Sequence, residues 1–246
     1  MVELTGKRAL VTGAARGIGA GIAIELAANG ADVAITYERS ADRAAEVVKA
    51  IEANGRRGVA IQADSADPAA VKRSVETAAG NLGGLDILVN NAGIGRVGPI
   101  TELSLADLDA LLNVNVRAVV LASQAAIPHL REGGRIISIG STLAERVPFA
   151  GSTVYAMTKS ALHAFTRGLS RELGPQGITV NLVQPGSIDT DMNPASGEQA
   201  DQLRALTALG RYGKPEEIAA VVAFLASPAA GLITGAMITA DAGFSA

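Results

Sequence analysis

Short runs of β-branched and aliphatic residues alternate along this chain with longer segments of helical period, a pattern that leaves few folds open to it. The strand candidates are residues 8–11, 33–37, 59–62, 87–90, 135–139, 179–183 and 237–239. Several are apolar throughout, as strands covered on both faces must be. Helical patterns lie between them, near 17–29, 41–54, 68–82, 105–130, 154–173 and 215–226, each opened or closed by a proline, a glycine or a polar cap. No linker interrupts the series. The pattern predicts one α/β domain over residues 1–246: a Rossmann-type, doubly wound parallel sheet of about seven strands with helices on both faces.

Composition narrows the interior and the partners. Aromatic residues make up 3% of the chain against 48% hydrophobic, so Val, Leu, Ile and Ala must build the core, and 28 glycines must fill special backbone positions. Twenty-one Lys and Arg against 24 Asp and Glu leave a charge of -3 with no basic run, which argues against nucleic acid as a partner. There is no cysteine, and His129 and His163 cannot form a zinc site alone, so no metal site is expected. Met1 to Lys7 has no apolar signal core, and the longest apolar run, 218–226, is far shorter than the ~20 residues that cross a bilayer. The expectation is a cytoplasmic protein with no membrane partner.

The first strand runs into Thr12-Gly13-Ala14-Ala15-Arg16-Gly17-Ile18-Gly19 and then directly into a helical pattern. Such a strand-to-helix turn lets backbone N–H groups approach a phosphate, although an ordinary tight turn has the same composition. The spacing is Gly-x-x-x-Gly-x-Gly, and Ile22 stands where the third glycine of a G-x-G-x-x-G frame would fall. At the end of the second strand, Tyr37 occupies the position where an acid would hold an adenosine ribose. Arg39 and Arg16 favour the extra phosphate of NADP, and Glu38 points the other way. The balance favours NADP(H), with NAD(H) possible.

Tyr155 and Lys159 lie four apart at the start of a helical pattern, on one face of it. They are either an ordinary surface pair or an acid–base pair in which a cation lowers a phenol's pKa. Ser141 follows a strand and is either a cap or a donor to a carbonyl oxygen, and Asn115 sits in an apolar helical stretch where an amide needs a partner. Residues 187–211 break the βα rhythm after a strand's carboxyl end, which suits a substrate lid or a tolerated insertion. Tyr212, Phe149 and Met192 are candidates for a substrate pocket or for ordinary packing.

Together these residues closely resemble the short-chain dehydrogenases/reductases. The match runs through Thr12-Gly13-x-x-x-Gly17-x-Gly19, Asn90-Asn91-Ala92-Gly93, Asn115, Ser141, Tyr155-x-x-x-Lys159 and Pro185-Gly186. It continues through Arg211-x-Gly213-x-Pro215-Glu216-Glu217 and Thr234-Gly235…Asp241-x-Gly243, in family order over nearly the whole chain. The resemblance implies hydride transfer between a nicotinamide and a carbonyl or alcohol carbon. Tyr155 would be proton donor, Ser141 would polarise the substrate oxygen, Lys159 would lower the tyrosine pKa and hold the ribose, and Asn115 would hold a relay water. It also implies cofactor contacts from Gly13, Arg16, Gly17, Ile18 and Gly19, from Asp64 to adenine, and from Asn91, Ala92 and Gly93 to the adenosine ribose. Pro185, Gly186, Ile188 and Thr190 would form the carboxamide clamp, and Asp86 and Asn90 would be structural.

Within the family the chain most resembles the 3-oxoacyl-(acyl-carrier-protein) reductases, through 134–141 and Gly177-Ile178-Thr179-Val180-Asn181. Relatives that dock a carrier protein place basic residues where this chain has Glu132 and Gln176, although Arg131 and Arg171 are close by. The expectation is therefore a reductase of free ketones, with the carrier-protein substrate as the alternative and a non-catalytic nucleotide-binding module as a remote one. Family resemblance also suggests a homotetramer built through 105–130 and 154–173. The ending Asp241-Ala242-Gly243 departs from the family's usual Asp-Gly-Gly and raises a question of local turn geometry.

Overall fold

The computed structural model describes residues 2–246. Seven strands form one parallel sheet: β1 (Arg8–Val11), β2 (Asp32–Tyr37), β3 (Gly58–Gln62), β4 (Ile87–Asn90), β5 (Arg135–Ile139), β6 (Thr179–Pro185) and β7 (Met237–Ala240). Their order is β3-β2-β1-β4-β5-β6-β7. The chain winds outward from β1 to β3, returns to lay β4 on the other side of β1, and winds outward again. The carboxyl ends of β1 and β4 therefore diverge, which is where such sheets open a ligand crevice.

Alternation along each strand sorts side chains onto the two faces. Ala9, Val11, Val33, Ile35, Val89 and Ile137 pack with α1 (Gly17–Ala28), α2 (Ala41–Ala53) and α8 (Pro215–Ala226). Leu10, Leu88, Ile136 and Val180 pack with α3 (Pro68–Leu82), α5 (Ala118–Ala126) and α6 (Thr153–Leu173). Helix α3 shows how local chemistry sets the boundaries. The Asp67 side chain accepts from Ala69 N at 2.8 Å, Pro68 opens the first turn, and Gly83 closes the helix in the left-handed region at φ 77°. At the amino end of the sheet, Arg8 pairs with Asp86 at 2.7 Å, which fits the structural role expected of Asp86.

The helical pattern expected over 105–130 is not one α-helix. It divides into α4 (Leu105–Leu112), a π-helical turn at Asn113–Arg117, α5, and a 3₁₀ turn at Ile127–His129. The whole stretch Leu105–His129 has the length and apolarity of a membrane-crossing helix, a property that counting uninterrupted apolar residues misses. Leu111, Val119, Ala122 and Ala126 are buried within the fold, so much of that apolarity serves the core. Within residues 187–211 the chain forms one short helix, α7 (Glu198–Ala205).

Ala242 answers the question raised by the C-terminal turn. It has φ 57°, the one positive value at a non-glycine among the described residues, and Gly243 follows at φ 78°. A Cβ in the left-handed region costs about 1–2 kcal/mol, partly offset by the greater chain entropy that glycine loses on folding. Ala242→Gly is expected to stabilise the protein by about 1 kcal/mol. A higher urea midpoint at unchanged m-value would show this, and an unchanged or lower midpoint would contradict it.

Candidate active site

A cleft of about 780 Å³ opens along the carboxyl edge of the sheet. Its floor begins at Thr12, whose hydroxyl accepts from the backbone N–H groups of Asn91 and Ala92, both at 3.0 Å. This draws the β1 and β4 loops together so closely that a Cβ at Gly13 would lie 2.8 Å from Ala92 Cα. A Cβ at Gly19 would lie 2.8 Å from Ala14 Cα, so both positions require the bare backbone. Helix α1 starts without a side-chain cap on its first N–H groups, leaving them to whatever enters the trench. These features fit a diphosphate: a bare glycine backbone held close against the neighbouring loop, with uncapped donors at its end.

All the predicted cofactor residues line this cleft: Gly13, Arg16, Gly17, Ile18 and Gly19 on the floor, Tyr37, Arg39 and Asp64 at one end, Asn91 to Gly93 along one wall, and Pro185, Gly186, Ile188 and Thr190 along the other. The charges at the adenosine end are shared. Arg39 pairs with Glu38 at 2.8 Å, both exposed, so the contrary signals in the sequence partly neutralise each other. Asp64 accepts from Ala66 N at 2.8 Å, which fixes its loop. Arg16 pairs with Asp191 at 3.2 Å, a partner 175 positions away.

At the other end, β5 delivers Ser141 and α6 delivers Tyr155 and Lys159, and all three line the cleft. Ser141 Oγ accepts from Leu143 N at 3.1 Å, so the residue caps the 3₁₀ turn Thr142–Ala144 and faces the cleft as well. Lys159 is buried, with Nζ donating to the Ile139 carbonyl at 2.9 Å and standing 5.9 Å from the centre of the Tyr155 ring. Burial pushes the Lys159 ammonium down to about 8. Burial also raises the Tyr155 phenol above its ordinary value, opposed in part by a hydrogen bond with Ser141. Desolvation is thus the larger influence on the phenol in this structure, and the Lys159 ammonium is turned toward the Ile139 carbonyl.

Asn115 lies beneath the cleft rather than on its wall. Its Oδ1 accepts from Ile94 N at 2.9 Å, and its Nδ2 donates to Ile94 O at 2.9 Å and to Thr158 Oγ1 at 3.1 Å. The amide is thus a satisfied core group that fixes the loop after β4. Thr158 in turn donates to Tyr155 O at 2.7 Å, tying α6 to that loop. Sequence reasoning passed over Thr158, although its place between Tyr155 and Lys159 was the available signal. A Cβ at Gly93 would lie 3.4 Å from Lys159 Nζ and 3.5 Å from Asn115 Oδ1, so these groups converge. Asn90, read as structural, donates to Ser123 and Ser138 inside the fold. Phe149 and Met192 line the cleft. Tyr212 does not. It is buried against residues 187–211 and donates to Asn193 Oδ1 at 3.1 Å, a packing role.

A family model described as Enoyl-(Acyl carrier protein) reductase matches residues 13–245. The structure of a short chain dehydrogenase from Burkholderia cenocepacia J2315 in complex with NADP is 61% identical, with a TM-score of 0.98 over 99% of this chain and 100% of that one. The chain belongs to the short-chain dehydrogenase/reductase family. As a member of it, the protein is an NAD(P)-dependent oxidoreductase. Curated short-chain relatives include the Cyclic-di-GMP-binding biofilm dispersal mediator protein of Escherichia coli K12, 47% identical over 100% of both chains. The Versicolorin reductase stcU of Emericella nidulans is 41% identical over 98% of this chain and 96% of its own.

The displaced lysine gives this short-chain oxidoreductase a pH signature. An unfolded Lys titrates near 10.5 and native Lys159 near 8, so between those values the unfolded chain binds more protons and native stability rises with pH. Below pH 8 the full cost of the buried ammonium is present. Relative to Lys159→Met, the cofactor-free wild type is expected to gain unfolding free energy from about pH 8 to 9.5. Parallel denaturation curves for the two proteins across that range would contradict it.

Proposed function

We propose that this protein is an NADPH-dependent carbonyl reductase acting on free, predominantly apolar ketones. The observation that carries the reading is the convergence of Ser141, Tyr155 and Lys159 at the end of the same trench that the glycine loop opens. The cofactor is NADP(H), as in the Burkholderia complex. When bound, it supplies the hydride that adds to the carbonyl carbon.

The chain's own groups handle the oxygen. The Tyr155 phenol, held protonated by its burial, donates its proton to the substrate oxygen as charge develops there. Ser141 donates a hydrogen bond to the same oxygen and fixes its approach. Lys159, near the phenol, stabilises the phenolate left behind once the oxygen has taken the proton. Apolar side chains, Val97, Leu143, Phe149, Met192 and Phe244 among them, line the substrate end of the cleft and suit a ketone with little charge.

A carrier-protein substrate is disfavoured by Glu132, whose side chain lies against Gly177 beside Gln176, so a carboxylate occupies the ground where an acidic helix would dock. A binding module without turnover would be expected to lose Ser141, Tyr155 or Lys159, and all three are in place. A homotetramer formed through α4, α5 and α6 is consistent with the exposure of Leu105, Val120 and Met157 on those helices.

The test is initial rate with NADPH or NADH against an aryl ketone, a cyclic ketone, a β-ketoester, and a β-ketoacyl thioester with and without its carrier protein. The expected result is NADPH-linked reduction of free ketones. Activity that requires the attached carrier would overturn the substrate assignment. Tight binding of a cyclic dinucleotide with no turnover on any substrate would favour the binding module.

A further inference from the structure

The tip of the lid rests on two arginines that no reading of the catalytic site explains. Asp189 accepts from Ala195 N at 2.9 Å, and Thr190 and Asn193 bond each other's backbone, with Asn193 N donating to Thr190 O at 3.0 Å. This self-closed turn presents Asp191 at its tip. The Asp191 Oδ2 atom accepts from Arg16, which enters α1 from the glycine loop, at 3.2 Å. The same oxygen accepts from Arg43, in the first turn of α2, 148 residues away. Thr190 touches the glycine loop as well, since a Cβ at Gly17 would lie 3.3 Å from its Cγ2. The segment that ought to open for a substrate is therefore tied by a carboxylate across the mouth of the diphosphate trench.

We propose that Asp191 is a specificity-determining residue that occupies the 2′-phosphate site of the cofactor, standing on Arg16 and Arg43 until a phosphate monoester displaces it. This rests on the NADP(H) reading above. Arg16 and Arg43 come from the loop and the helix that flank the carboxyl end of β2, where an adenosine ribose lies in sheets of this topology. All three side chains are about half exposed, so exchanging one anion for another needs no burial or unfolding. The two guanidinium groups hold the Asp191 carboxyl below its usual range, Arg43 more than Arg16, so it is ionised at any working pH. Asp191 is the only carboxylate bonded to both arginines, with Glu46 acting on Arg43 at longer range. A phosphate monoester carries about -1.5 to -2 and has three acceptor oxygens, so it satisfies both guanidinium groups better. A cofactor lacking that phosphate has nothing with which to displace Asp191. Displacement also frees the lid tip, so the 2′-phosphate both selects the cofactor and releases the segment that covers the substrate.

The probes are 2′,5′-ADP and 5′-ADP, titrated calorimetrically into the wild type, Asp191→Asn and Arg43→Gln. Asp191→Asn is expected to tighten 2′,5′-ADP about fivefold and leave 5′-ADP unchanged, the scale of two solvent-exposed ion pairs. Arg43→Gln is expected to weaken 2′,5′-ADP alone. Hydrogen exchange over residues 187–197 should rise when 2′,5′-ADP binds the wild type and should already be fast in Asp191→Asn. Equal effects on both nucleotides, weaker 2′,5′-ADP binding by Asp191→Asn, or lid exchange indifferent to 2′,5′-ADP would overturn the proposal. If the wild type binds NADH but not 2′,5′-ADP, the cofactor reading fails first, and that result is distinct from the others.

Discussion

The seam between the carboxyl ends of β1 and β4 is the constraint to which every functional group here is referred. Thr12 Oγ1 takes the N–H groups of Asn91 and Ala92, while Asn91 Nδ2 donates to Thr12 O at 2.8 Å and Gly13 O at 3.1 Å. These bonds hold two loops together that the strand order would otherwise let diverge. The glycine loop can then dip low enough to form a trench, and the wall from Asn91 to Gly93 is fixed at the height at which it meets Lys159. A side chain at Gly13 would push the seam apart. Fold and function thus share one cluster of short hydrogen bonds, most of them to backbone.

The catalytic end is held by a second chain of contacts that begins one residue beyond that wall. Ile94 is bonded by Asn115, Asn115 by Thr158, and Thr158 by the carbonyl of Tyr155. The π-helical turn at Asn113–Arg117 is the local departure from α-helix that contains this amide, and such turns recur at functional sites. Burial then acts on both ionisable partners in opposite senses, raising the phenol and lowering the ammonium. Each change disfavours charge, so the resting pair has a protonated acid ready and a cation that gains by acquiring an anionic neighbour. Charge forming on the reacting oxygen or on the phenol supplies that neighbour.

How far the sequence reveals this architecture depends on the range of the interactions. The strands were legible because side chains buried on both faces leave continuous apolar runs, and β6 and β7 differ from their expected limits only by residues added at one end. Tyr155 and Lys159 were legible because their spacing is a property of one helix. The division of 105–130 was not, since a π turn keeps the same apolar composition and holds Asn115 against a loop 21 positions earlier. Nor could the direction of the phenol's shift be read locally, because it depends on how much of the fold covers it. Ala242 is an intermediate case, in which the missing glycine was visible and the strained dihedral angle was not.

The central claim is that Tyr155 is the proton donor at a cofactor site that does not otherwise depend on its hydroxyl. The direct measurement is Tyr155→Phe, with NADPH affinity from equilibrium fluorescence and ketone turnover from cofactor absorbance. The account predicts an unchanged dissociation constant and turnover lowered by about a hundredfold or more. Near-normal turnover, or loss of activity explained entirely by lost NADPH binding, would contradict it.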